Sequence, residues 1–210
     1  MNGVIVRQAG DRALLIEPAD AAQLPLLLDN LRRAPIDGVV DLLPAARTVL
    51  LTLCPGVDPA VVETRVRALV LTPGADSPVS AAAEVVTVPV RYDGPDLAET
   101  AALLGIPPDR LVERHTGARW RCAFIGFAPG FGYLQAPGPG LSVPRRAQAR
   151  TVVPAGSVAL AGGYSAVYPR DSPGGWQIIG HTELALWDPG RTEPALLRAG
   201  IEVRFEAVDR

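Results

Sequence analysis

Arg145, Arg146 and Arg150 fall within six positions of "VPRRAQAR". A guanidinium is a planar fork of N–H donors that grips carboxylate and phosphate oxygens, so such a cluster suits an anionic ligand or a transition state that gains negative charge. It suits plain surface solvation equally, because arginine is the only cation the chain uses: all 20 basic residues are Arg and none is Lys. The missing Lys excludes a P-loop of the form GxxxxGK[ST] and any Schiff-base nucleophile. Further polar groups follow at turns, Ser157 in "PAGS" and Tyr168, Arg170, Asp171 and Ser172 in "YPRDSPGGWQ". Within the latter, Pro173-Gly174 fits the centre of a type II turn with positive φ at Gly174. Gly174-Gly175 before Trp176 fits a tight hairpin or a concavity of backbone N–H groups that holds an anion.

His115 and His181 are the only imidazoles, Cys54 and Cys122 the only thiols, and no CxxC, HxxxH or HExxH occurs. No metal site is therefore expected. His115 closes "LVERH" at a helix end, where an imidazolium would complement the helix dipole and a neutral imidazole could carry a proton. No Ser-His-Asp triad is recognisable. The thiols are expected to be buried in a reducing cytoplasm, since "MNGVIVRQAG" has no apolar signal region. No apolar run approaches the roughly 18 residues of a membrane span. A formal charge of −2 gives no electrostatic case for nucleic acid.

One segment stands apart from these polar sites. "RCAFIGFAPGFGYLQAPG", residues 121–138, mounts four aromatic rings among Gly and Pro, too broken for a helix and too irregular for a plain strand. It reads either as a strand end and loop packed on a core or as aromatics presented to a ligand or partner.

The elements that must position these groups follow from periodicity. The chain is 48% hydrophobic and 20% charged, enough to bury one good core or two small ones, and its 21 Gly and 21 Pro favour short strands and turns over a helix bundle. Residues 4–17 read as two strands around Gly10-Asp11. Leu24, Leu27, Leu28 and Leu31 mark a helix after Asp20 that ends at Pro35. "GVVDLL" and "TVLLTLC" are strands, and Asp58-Pro59 opens a second helix with Val62, Val66, Leu69 and Val70 on its apolar stripe. These make a small α/β domain over residues 1–71, followed by a Gly, Pro, Ser and Ala linker over 72–84. Residues 85–210 begin with the strand "VVTVPVRY" and the helices "PDLAETAALLG" and "PPDRLVERHTG". No helix is expected after His115, where "RCAFIGFA", "TVVPAGSVALAGG", "SAVYP", "WQIIGHTELALW" and "EVRFEAV" read as strands of a barrel or sandwich. The fold class is α+β.

"FIGFAPGFGYL", "VPAGSVALAGG" and "YPRDSPGGWQIIGHT", in this order and spacing, resemble the signature of the 5-oxoprolinase B-subunit family, which is also called allophanate hydrolase subunit 1 or KipI-like. "GDRALL", "LPAARTVLL", "VPVRYDGPDL" and "VERH" are similar to its earlier landmarks. The resemblance implies a cyclophilin-like β-barrel for residues 85–210. It implies one component of an ATP-dependent 5-oxoprolinase that opens 5-oxoproline to glutamate together with C and A subunits, the former KipA-like or allophanate hydrolase subunit 2-like. ATP would be used by the assembled complex. A phosphoryl group would activate a lactam oxygen before water attacks, with Arg145 and Arg150 stabilising negative charge and His115 moving a proton. The aromatic-glycine segment looks like a pocket wall: Phe127, Pro129, Gly130, Phe131 and Tyr133, joined by Ser157, Tyr168, Ser172, Gly174, Gly175 and Trp176. Phe127, Phe131, Tyr133 and Trp176 would be exposed together at a mouth over which the C subunit would close. Relatives of this family also suggest an inhibitor of a sensor histidine kinase or part of an allophanate hydrolase. Ala149, Tyr164-Ser165-Ala166 and His181 depart from the family's pattern, which has Pro, Gln-Thr-Gly and Arg there.

Overall fold

The computed structural model describes residues 3–70, 84–138 and 141–209, in two compact units, Met1–Ala81 and Ala82–Arg210. The linker reading over 72–84 lies, apart from Glu84, outside the described residues.

In the first unit, β1 (Val4–Gln8), β2 (Ala13–Pro18), β3 (Val39–Pro44) and β4 (Val49–Leu53) form an antiparallel sheet in the order β1-β2-β4-β3. Alternation along β2 and β4 sends Leu14, Ile16, Val49, Leu51 and Leu53 to one face. The helices α1 (Leu24–Arg33) and α2 (Pro59–Val70) cover that face with Leu24, Leu27, Leu28, Leu31, Val62 and Val66. The capping signals hold. Asp20 accepts a hydrogen bond from the Ala22 backbone N–H, and Asp58 accepts one from that of Ala60. Asp20 caps a short 3-10 turn, Ala21–Gln23, that leads into α1.

The second unit opens with β5 (Val85–Val90), α3 (Leu97–Leu103) and α4 (Pro108–Gly117), and no helix follows among the described residues. Then come β6 (Trp120–Ile125), β7 (Gly132–Gln135), β8 (Arg150–Val153), β9 (Ser157–Ala161), β10 (Tyr164–Val167), β11 (Ser172–Gly174), β12 (Gln177–His181) and β13 (Glu202–Ala207). Seven strands share one sheet in the order β12-β9-β10-β7-β6-β13-β5, and β8 and β11 form a separate ribbon. β13 returns to lie parallel to β5. Past the end of β5, Arg91 and His181 exchange backbone hydrogen bonds of 2.9 and 2.8 Å, which brings the β5 side back to β12 and nearly closes the sheet into a barrel. Closure removes the free sheet edges that would otherwise invite pairing with another chain. It also needs glycine, since a Cβ at Gly180 would lie 2.6 Å from the Arg91 carbonyl oxygen.

The expected barrel is present, with two corrections to its strands. "TVVPAGSVALAGG" is not one strand, because the turn at Pro154–Gly156 splits it into β8 and β9. "WQIIGHTELALW" leaves the sheet after His181. β9, β10 and β12 are buried on both faces, whereas β5 and β13 expose one. From β9, Val158 and Leu160 enter the main core with Val88, Leu111, Trp120 and Phe205, while Ala159 and Ala161 face a second cluster. Cys122 is buried, with its thiol pushed up to about 12 by desolvation, whereas Cys54 is only half-buried. Among the described residues no helix is long and apolar enough to cross a membrane.

Candidate functional site

The second cluster is where the aromatic-glycine segment goes. Ala159, Ala161 and Ala166 are small side chains that make a floor, and the space above them is filled by Phe131, Tyr168, Trp176 and half-buried Tyr133. Phe131 is the hub, edge-on to Tyr133 at 5.0 Å, Tyr168 at 5.2 Å and Trp176 at 5.7 Å between ring centres. Phe124 stacks on Tyr133 at 4.2 Å. Edge-to-face contacts at these separations add to the burial of each ring. The expectation that Phe127, Phe131, Tyr133 and Trp176 are exposed together is therefore corrected. Phe131 and Trp176 are 1% and 6% exposed because the alanine floor leaves them room, and Phe127 alone stands out at 58%.

Phe127 is held outward by its backbone. The turn from Gly126 to Phe131 is closed by hydrogen bonds from Ala128 N–H to Gly126 O and from Phe131 N–H to Ala128 O, and it puts Phe127 at φ 68°, the only positive φ on a non-glycine described residue. Such a conformation costs on the order of 1–3 kcal/mol and persists where the surroundings impose it. Pro129 is exposed at the tip, and Gly130 is buried against the Leu186 carbonyl and Trp187.

The type II turn expected at Pro173-Gly174 is also corrected. Ser172–Gly174 is the strand β11, paired with β8, and Gly174 has no positive φ. Glycine is required there by packing, because a Cβ would lie 2.4 Å from the Tyr168 hydroxyl. The next carbonyl, of Gly175, accepts from the Arg146 backbone N–H. Ser172 is spent locally, donating to the Arg170 carbonyl at 3.1 Å.

The three arginines separate by partner. Arg146 and Arg150 both donate to the same oxygen of Asp96, Oδ1, at 2.6 and 2.7 Å, and the other oxygen accepts from the Ile178 backbone N–H at 2.7 Å. Asp96 is 2% exposed and is the residue the sequence reading missed. Its only signal was indirect: a cluster of arginines with no acidic residue nearby needs a carboxylate from elsewhere, and this one lies 50 and 54 positions away. Arg145 is exposed and makes no ion pair or hydrogen bond with a described residue. Its charge acts on Tyr133 and Tyr168, both of whose hydroxyls are pushed up chiefly by burial and pulled partly back by Arg145. These phenols stay protonated at neutral pH and are not nucleophiles. The face therefore presents the Arg145 cation and the exposed Phe127 ring, with the other rings packed beneath, and it brings no nucleophile and base together.

His115 lies elsewhere. It is wholly buried in the main core, with Nδ1 2.7 Å from the Tyr92 hydroxyl, Nε2 2.8 Å from Ser165 Oγ, and its ring 4.3 Å from that of Phe205. Desolvation lowers its pKa to about 3, so it is a neutral imidazole and not a cation capping the helix dipole. Both nitrogens are occupied inside the core, so the structure does not bring it together with Arg145. Ser157 lines a cleft that also includes Arg150 and His181, beside the aromatic face and distinct from it.

The family described as "Carboxyltransferase domain, subdomain C and D" matches residues 4–197. Over 123 residues, 57% of the chain, the sequence is 50% identical to a protein named as the B subunit of 5-oxoprolinase from Escherichia coli O157:H7, of which that stretch is 56%. A protein of the same name from Bacillus subtilis (strain 168) is 43% identical over 124 residues, 58% of this chain and 52% of that one. The matched stretch thus spans about half the length of these curated relatives. Among solved structures, TTHA0988 is 33% identical with a TM-score of 0.74, over 98% of this chain and 40% of that one. The K. lactis urea amidolyase shares the fold at a TM-score of 0.76 and 18% identity, over 99% of this chain and 15% of that one.

Proposed function

The chain belongs to the carboxyltransferase subdomain C and D family, and on that footing we propose that it is the B subunit of a 5-oxoprolinase-type complex that opens 5-oxoproline to glutamate at the expense of ATP. The observation that carries this reading is the 50% identity over 123 residues to a protein named as the B subunit of 5-oxoprolinase. The geometry supports the division of labour. Arg145 is a cation without an ion-pair partner among the described residues, and the face beside it brings no nucleophile and base together, so the reacting centre is completed by a partner, the C subunit, with the A subunit in the same complex. ATP belongs to that assembly. This chain has no Lys for a P-loop, and among its described residues no three His, Cys, Asp or Glu side chains gather as metal ligands.

In the reaction, phosphoryl transfer from ATP to the lactam oxygen activates the carbon, one water adds to it, cleavage of the C–N bond with a proton delivered to nitrogen opens the ring as an acyl phosphate, and a second water releases phosphate to give glutamate. The role of this chain is to bind and orient. Arg145 would meet negative charge on the activated oxygen, and the outward Phe127 ring would pack on the substrate or the partner. The setting is the cytoplasm, where the complex has ATP. Co-expression with candidate C and A subunits, followed by ATP-dependent glutamate release from 5-oxoproline, tests the reading. Turnover is expected from the assembly and not from this chain alone, and robust turnover by the isolated chain, or none by the assembly, overturns it.

A further inference from the structure

Beside the aromatic face, Asp93–Pro95 and residues of β8, β9 and β12 line a cleft of about 290 Å³. Ser157 and His181 are directly paired across β9 and β12, so both side chains stand on the same face of the sheet. Ser157 is 4% exposed, yet its hydroxyl makes no hydrogen bond to a described residue. The His181 ring makes none either, and it lies against Gly156, where a Cβ would come 2.7 Å from its Cε1. Ser157 and His181 both line the cleft, so each is open to a hydrogen bond from a ligand there.

Arg150 lines the same cleft and carries a similar surplus. Its Nη2 shares one Asp96 oxygen with Arg146, while its Nη1 is buried without a partner. Glu99 reaches Arg146 and not Arg150. The one carboxylate in the lining, Asp93, is already bound to Arg91 at 2.6 Å. The charges around the cleft balance, Arg91, Arg146 and Arg150 against Asp93, Asp96 and Glu99, but the donors of Ser157, His181 and Arg150 are left without protein acceptors among the described residues. The remaining wall includes the apolar side chains of Pro95, Val152 and Pro154. A volume at the lower end of small-molecule sites, with one polar corner and one apolar wall, fits a compact molecule that has an anionic group at one end.

We propose that this cleft is a binding subsite for a small organic acid, its carboxylate held by Ser157, His181 and Arg150 and its body resting on Pro95, Val152 and Pro154. The site itself is independent of the functional reading above, and only the choice of 5-oxoproline as first probe rests on it.

Titrating the full isotopically labelled chain with L-5-oxoproline, with 2-pyrrolidinone (the same ring without the carboxylate), with acetate and with inorganic phosphate tests this by amide chemical shifts. The expected result is saturable movement of the Ser157, Gly180 and His181 amides with 5-oxoproline, no saturation with 2-pyrrolidinone, and an affinity at least about tenfold weaker in Ser157→Ala/His181→Ala. These changes within the cleft spare the Asp96 clamp, so the variant keeps its fold where Arg150→Ala could lose it. Equal binding of 2-pyrrolidinone, shifts confined to Phe127 and Arg145, unchanged affinity in the double variant, cleft shifts with phosphate only, or no cleft shift with any of the four overturns the subsite. Cleft shifts with acetate but not 5-oxoproline support the subsite and count against the 5-oxoprolinase reading. Turnover by the assembled complex with an unchanged KM in the double variant does the reverse.

Discussion

Replacing His115 by Gln should flatten the acid limb of the stability curve of the second unit. The imidazole is wholly buried and hydrogen-bonded on both sides, with its pKa lowered from 6.5 to about 3 by desolvation. The unfolded chain therefore takes up the proton at a higher pH than the folded one. The stability held by neutral His115 is complete above pH 6.5 and drains away as the pH falls towards 3. Between about pH 7.5 and 4.5 the loss is about 2–3 kcal/mol, since each pH unit between the two pKa values is worth at most about 1.4 kcal/mol. Tyr92 and Ser165, the groups facing the ring, stay neutral across this range, since burial pushes the Tyr92 hydroxyl well above its usual value. His115→Gln should cost about 1–3 kcal/mol at neutral pH through lost hydrogen bonds and packing on Phe205, while its stability falls more gently below pH 6.5. Urea unfolding followed by Trp fluorescence reads this unit alone, because Trp120, Trp176 and Trp187 all lie in it. Carboxylates contribute equally to both proteins, so the difference between the curves isolates His115. Parallel curves across this acid range would refute the buried neutral imidazole.

Asp96→Asn should destabilise the second unit by about 2–4 kcal/mol, measured by the same unfolding assay. The figure is below that for a fully buried pair because the Arg146 and Arg150 side chains keep 28% and 26% of their exposure. Phe127→Gly should leave the melting temperature unchanged or raise it, since glycine adopts positive φ freely, while lowering turnover of the assembled complex; a lower melting temperature would place Phe127 in the fold and not in the site. Arg145→Ala should lower complex turnover at least about tenfold, about 1.4 kcal/mol of barrier, with an unchanged melting temperature, and wild-type rates would remove it from the site. Phe131→Asp should unfold the second unit, seen as loss of its cooperative thermal transition, because it puts a carboxylate at the hub of the ring cluster.

What the sequence by itself determined is local or serial. The leucine spacing over 24–31, the caps at Asp20 and Asp58, and the alternation of Leu14 and Ile16 each act within one turn or one strand, so propensity and period were enough to read them. The order of the three long motifs was enough to place the chain near its family, and the aromatic-glycine segment was visible as a feature. What only tertiary structure decided is every property that needs a partner distant in the chain. Asp96 could not be read as the clamp of Arg146 and Arg150 until residues 50 and 54 positions apart met. Gly174 looks like a turn residue from its neighbours, and is a packing residue because Tyr168 arrives beside it. His115 sits at a helix end in sequence, but the side of α4 it occupies faces Phe205 and Ser165, so burial and not the helix dipole sets its charge. Phe131 and Phe127 are alike in composition and local context, and one is core while the other is exposed, because strand alternation delivers three alanines beneath the first and a positive φ turns the second outward. Ser157 and His181 become one polar corner only through the register of β9 on β12. Side-chain chemistry is carried by each residue, but desolvation and charge pairing depend on what surrounds it, and those surroundings come from pairings that no window of neighbouring residues contains.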